Sequence, residues 1–162
     1  MRILGIDPGL HICGYACLQT GQGKDCLVEA GVFRTTESAP IEKRLNQIAD
    51  DLDSLLEKLK PDVVAVEQLY SHYEHPRTAI LMGHARGVIL QKCSQVGLEV
   101  KSLSATRIKK SITGNGRASK QQVQRSVQTI LLLPAMPEPP DVADAIAAAL
   151  CYANSMAAVS LK

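Results

Sequence analysis

Ile3, Leu4 and Ile6 form an apolar run with almost no polar alternation, and it stops abruptly at Asp7-Pro8-Gly9. A strand with one wet face alternates apolar and polar residues, so an unbroken run marks a strand covered on both faces. Pro8 presets φ and Gly9 is expected to accept a positive φ, which predicts that the chain turns back into a second, antiparallel strand around Ile12 to Leu18. Asp7 then stands at the rigid end of a core strand beside an exposed turn, where a carboxylate can hold a metal or face a phosphate. Taken alone, the same residue reads equally as a turn-forming Asx.

The rest of the chain follows the same grammar. Gly21-Gln22-Gly23 signals a hairpin, and 25–34 supplies a third strand with Leu27, Val28, Val32 and Phe33. Over 40–59, Ile41, Leu45, Ile48, Leu52, Leu55, Leu56 and Leu59 step by three or four, which predicts a one-faced helix with Ser38 as its cap and Lys60-Pro61 as its end. The run 62–67 is again a fully buried strand that stops at an acid, Glu67. A polar, aromatic loop leads to a helix over 77–95 whose Ala79, Gly83, Ala85 and Gly87 would let another helix approach closely. A strand over 98–103, a short basic helix over 104–111 and a loop over 113–118 come next, followed by a helix capped by Ser119 and running to 133. Four prolines in 134–140 predict an extended connector, and Pro140-Asp141 opens a last helix through Leu150. The order βββαβαβααα predicts an α/β fold. Its mixed five-stranded sheet would be a three-strand antiparallel meander plus two parallel strands, with helices on both faces.

The 162 residues fit one domain, and a hydrophobic fraction of 46% with only 3% aromatic residues implies a core of Leu, Ile, Val and Ala. Five cysteines without a C-x-x-C pair read as reduced core residues. No apolar stretch approaches the ~20 residues of a membrane span, and Asp7 comes too early for a signal peptide, so a soluble, cytoplasmic protein is expected. Net charge is only +2, but Arg107, Lys109, Lys110, Arg117, Lys120 and Arg125 lie in one acid-free segment, leaving twelve basic and sixteen acidic residues elsewhere. Such asymmetry suits a polyanion-binding face, the alternative being a solvated helix surface.

Asp141 and Asp144 are spaced i, i+3 and share one face of a helical first turn. A helix N-terminus favours either acid alone. Beside an alanine-rich stripe that must pack on the sheet, the pair points inward, and if the first and fourth strands are neighbours, Asp7 and Glu67 lie side by side beneath it. Four converging carboxylates repel unless cations separate them. Hard oxygen donors suit Mg²⁺, and two such ions can activate a water and steady a leaving oxygen at phosphorus, so phosphodiester hydrolysis is expected.

The run Ile-Leu-Gly-Ile-Asp7-Pro-Gly with Gly14-Tyr15, the strand ending Val-Glu67-Gln68 before Tyr70, the segment Gly83-His-Ala-Arg86-Gly87-Val, and Asp141-Val-Ala-Asp144-Ala together resemble the RuvC Holliday-junction resolvases. The resemblance spans nearly the whole chain. It implies an RNase H-like fold, a homodimer, Mg²⁺-dependent symmetric nicking of four-way DNA junctions, and cooperation with the RuvAB branch-migration machinery. It maps the catalytic acids onto Asp7, Glu67, Asp141 and Asp144, and points to Lys109 and Lys120 as contacts near the scissile phosphates. The loop 71–77 departs from it, with His72, Tyr73, Glu74 and His75 where the family more often has lysine and asparagine. His72 and His75 lack the rigid backing of a metal pair. His84 reads as a packed or interface residue, and Arg86 as either an interface salt bridge or a DNA contact. Tyr70, just past Glu67, is expected to stack on an unpaired base. Ala79, Gly83, Gly87 and Leu90 mark the expected dimer interface. Two other readings share some features: a non-catalytic DNA-binding scaffold, and an actin-like ATPase or kinase, which would need a second such domain.

Overall fold

The computed structural model describes residues 1–21, 23–69 and 76–160. In order these form β1 (Arg2–Asp7), β2 (Ile12–Gln19), β3 (Cys26–Arg34), α1 (Ile41–Leu59), β4 (Val63–Glu67), α2 (Pro76–Gln95), β5 (Glu99–Leu103), α3 (Ala105–Thr113), α4 (Lys120–Leu131) and α5 (Pro140–Ser160). The five strands make one sheet in the order β3-β2-β1-β4-β5. The first three form the antiparallel meander, while β1 with β4 and β4 with β5 pair in parallel. At the start of β4 the Asp62 carboxylate accepts from the Arg2 amide at 2.6 Å and the Asp62 amide donates to the Arg2 carbonyl. That clip sets the register Ile3↔Val63 through Ile6↔Val66 and brings the acids at the far ends of the two strands level.

Alternation along the buried strands divides the core in two. Leu4, Ile6, Cys13, Cys17, Val64 and Val66 pack with α1 and α2, whereas Ile3, Ala16, Leu18, Val63 and Ala65 pack with α3, α4 and α5. The buried face of α5 is rich in alanine, with Ile146 and Leu150 as its large side chains, and two glycines beneath it permit backbone-to-backbone contact. A Cβ on Gly5 would collide with the Ala145 carbonyl oxygen and lie 2.9 Å from the Ala149 nitrogen; one on Gly14 would collide with the Asp141 carbonyl oxygen and lie 2.6 Å from the Asp141 carbonyl carbon. These contacts seat the first turns of α5 directly over the ends of β1 and β2.

Several local expectations need correction. Ser38 does not cap α1: the N-cap is Pro40, with no side-chain cap bond, because its fixed φ and extended ψ already start the helix there. Gly9 does not take a positive φ. A Cβ there would overlap the Ile12 carbonyl oxygen, so close approach, not backbone handedness, calls for glycine. The helix expected to reach 133 ends at Leu131, where Leu132 turns left-handed. Its Ser119 cap is present as a full capping box with Gln122, worth about 1 kcal/mol. Four cysteines are buried, but Cys26 is exposed. His84 is exposed, which removes the packed alternative and leaves the interface one.

Candidate active site

Asp7 ends β1 opposite Gly14 of β2, one residue beyond the Ile6↔Val66 pair, and Glu67 ends β4 at the same level. Both follow the parity of Ile3, Gly5, Val63 and Ala65 and so belong to the face covered by α5. The first turns of α5 carry Asp141 and Asp144 to that same place. All four acids line one cleft of about 570 Å³, together with Pro8, Gly9, Leu10, Lys109 of α3 and Lys120 of α4.

The electrostatics are those of crowded carboxylates. Burial, then Glu67, Asp144 and Asp141, push the Asp7 carboxyl from its ordinary 3.8 up to about 8, with Lys120 opposing. Glu67 is raised to about 7 by burial and Asp144, against Lys109 and Lys120. Asp144 is raised by burial and by Asp141, again against the two lysines. Lys120 Nζ stands 3.7 Å from Asp144 Oδ2, the lysine 67% exposed and the aspartate 19%. At that separation and exposure the pair contributes little to stability. Among the described residues, no three His, Cys, Asp or Glu side chains are drawn into a ready-made metal cage.

Of the six clustered basic residues, Lys109 and Lys120 face this cleft. Arg107 and Lys110 line a neighbouring groove with Ser104, Thr106 and Ser111, Arg125 lines a smaller hollow beside Asn115, and Arg117 lines none of the three. Tyr70, His72, Tyr73, Glu74 and His75 lie outside the described residues. Ala79, Gly83, Gly87 and Leu90 lie on one face of α2, where a Cβ on Gly87 would meet nothing within 4 Å and one on Gly83 only Leu69 Cδ1 at 3.7 Å.

Two arginines gain roles that their sequence context did not signal. Arg44 of α1 donates from Nε to Thr35 Oγ1 at 2.9 Å and from Nη2 to the Leu10 carbonyl at 3.3 Å, fastening the turn after Asp7. Arg86 of α2 bonds within the chain: its Nε donates to the Glu67 carbonyl at 3.2 Å and its Nη2 to Ser102 Oγ at 2.7 Å.

An antiparallel meander joined to two parallel strands, covered by helices on both faces and carrying acids at the ends of its two central strands, defines an RNase H-like domain. The model of the family "Crossover junction endodeoxyribonuclease RuvC" matches residues 3–152, and this chain belongs to the RuvC family. The RuvC of Rhodopirellula baltica is 49% identical over 149 residues, covering 92% of this chain and 84% of its own length. That of Thermomicrobium roseum is 40% identical over 162 residues, covering 100% and 98%. Thermus thermophilus RuvC, solved in complex with a Holliday junction substrate, superposes with a TM-score of 0.90 at 30% identity over 99% of this chain and 97% of its own. The yeast mitochondrial Holliday junction resolvase shares the fold, with a TM-score of 0.66 at 16% identity.

Proposed function

We propose that this chain is a single-domain endodeoxyribonuclease that resolves four-way DNA junctions by paired symmetric nicks, in recombination and repair in the cytoplasm. The observation that carries the reading is the convergence of Asp7, Glu67, Asp141 and Asp144 on one cleft flanked by Lys109 and Lys120. Incubating a labelled four-way junction with the protein, with and without Mg²⁺, tests it. Symmetric nicks only with the ion support the reading, and an intact junction in Mg²⁺ contradicts it.

The donor set fits Mg²⁺. Carboxylate oxygens are its preferred protein ligands, and it needs only one or two of them because waters and substrate phosphate complete its shell. Asp7, Glu67, Asp141 and Asp144 would hold a pair of ions. Bound there, Mg²⁺ supplies an activated water and neutralises charge on the leaving oxygen. Asp7 and Glu67, raised to about 8 and about 7, keep protons near neutrality while no cation is present, so loading the site releases protons. Lys109 and Lys120 would hold the phosphate backbone against the cleft.

Raised carboxyls mean that the folded protein binds protons which the unfolded chain has already released. Without cations, the stability these carboxyls contribute is fully present at and below the ordinary carboxylate range and is lost as pH climbs toward about 8, the value for Asp7. Thermal melts in EDTA should fall between pH 5 and pH 9, Mg²⁺ should restore them most at the alkaline end, and Asp7→Asn should remove much of the slope. A flat profile in EDTA would contradict the crowding described above.

Lys109→Ala and Lys120→Ala should each weaken junction binding and lower the slope of log affinity against log salt by up to about one unit. Unchanged slopes for both would leave these lysines as solvated surface.

Paired nicks require two sites, and a two-fold homodimer provides them. The open face of α2 around Gly83 and Gly87 is the proposed seam, and RuvAB the proposed partner of the assembled dimer. Gly87→Leu should leave the monomer folded, since helix propensity there improves by roughly 0.8 kcal/mol, yet shift sedimentation toward monomer at micromolar protein. A Gly87→Leu protein that sediments as wild-type dimer would move the seam elsewhere.

A further inference from the structure

The end of β4 is held in an unusual way. Pairing between β1 and β4 stops at Ile6↔Val66, and Pro8, which follows Asp7, has no N–H to extend it. On the other side, the Gln68 amide donates to the Leu103 carbonyl at 2.8 Å, the last backbone bond before the chain leaves the sheet. The Glu67 carbonyl takes its donor instead from a side chain, the Arg86 Nε at 3.2 Å, while Nη2 of the same guanidinium donates to Ser102 Oγ on β5 at 2.7 Å. Arg86 adjoins Ala85, which with Ile89 and Cys93 is buried against the sheet, so its stem starts from a fixed helix. A planar fork with two separate anchors holds a backbone in one orientation, which a single flexible ammonium does not.

We propose that Arg86 is a positioning residue for the nuclease reaction: by fixing the Glu67 main chain against Ser102, it aims the Glu67 carboxylate into the cleft without touching DNA. The proposal rests on Glu67 being one of the catalytic acids. It also makes α2, which carries the proposed dimer seam, the helix that sets the geometry of the site.

The test compares Arg86→Met, Arg86→Lys and Ser102→Ala with Glu67→Gln. It reads single-turnover cleavage of a labelled junction in Mg²⁺, junction affinity in EDTA, and amide exchange at Gln68. Displacement of one reacting group by about an ångström costs up to about a hundredfold, so Arg86→Met should cut roughly ten- to a hundredfold more slowly. Junction affinity should stay within about twofold, a change below ~0.4 kcal/mol. The Gln68 amide should exchange faster while those of Val64 and Ala65 stay protected. Arg86→Lys, which lacks the fork, should fall between Arg86→Met and wild type. Wild-type cleavage by Arg86→Met beside an inactive Glu67→Gln overturns the proposal and leaves the site reading intact. Normal cleavage by Glu67→Gln instead removes the reading beneath it. Loss of protection across the whole sheet would overturn positioning in favour of general support. If Arg86→Met does not fold, Ser102→Ala decides, with a few-fold slower cut at unchanged affinity expected and a wild-type rate counting against the idea.

Discussion

Asp7→Asn is expected to yield a protein that binds a four-way junction as tightly as wild type and cuts it at least about a hundredfold more slowly in Mg²⁺. Groups that merely orient a metal ligand cost ten- to a hundredfold when removed, so loss of a ligand should start near the top of that range, ~2.7 kcal/mol in barrier. The substitution keeps the side chain's shape and removes the one charge that burial and three neighbouring acids already oppose. Stability at alkaline pH in EDTA should therefore rise, not fall, which separates a catalytic defect from a folding one. Glu67→Gln, Asp141→Asn and Asp144→Asn should behave alike in cleavage. Near-normal cutting by purified Asp7→Asn would end the metal-site reading.

The second large effect is expected from one methyl group. Gly5→Ala places a Cβ inside contact distance of the Ala145 carbonyl oxygen and 2.9 Å from the Ala149 nitrogen, both main-chain atoms that cannot rotate away. Overpacking of this kind costs about 1–3 kcal/mol, and at roughly 2–4 °C per kcal/mol for a chain of this size the melting temperature should drop by several degrees. Because α5 carries Asp141 and Asp144, lifting it should also slow cleavage in protein that remains folded. Gly87→Ala serves as the contrast: its Cβ meets nothing and should stabilise the chain. Equal melting temperatures for Gly5→Ala and wild type would mean that α5 has room to shift.

What the sequence disclosed, and what it hid, follows from range. The buried runs ending at Asp7 and Glu67, the three-four stepping of α1 and the i, i+3 spacing of Asp141 and Asp144 are local patterns, and they carried the element order, the sheet and the placing of the four acids in one cleft. Gly5 and Gly14 looked like ordinary strand glycines because their reason is a helix far along the chain. Arg86 and Arg44 could not be placed either, since an isolated arginine on a helix looks the same whether it meets solvent, DNA or a distant carbonyl. The basic segment was visible as a block, but its division between the cleft and the neighbouring grooves depends on how α3 and α4 turn, which charge counting does not register. Ser38 failed as a cap for a nearer reason: Pro40 starts the helix by itself.

The acids are also separated in time. Synthesis proceeds at roughly 5–20 residues per second, so Asp7 leaves the ribosome on the order of 7–30 s before Asp144. Until α5 docks, a nascent chain can pair β1 with β4 and bring two carboxylates together, but it lacks the roof that completes the cleft. Long-range closure of this sort is slow, because loop entropy is spent before the final contacts form. With the four acids acting as proposed, an enzyme that severs DNA is inert through nearly all of its own manufacture, and fragments ending before Asp141 carry the sheet without half of its acids.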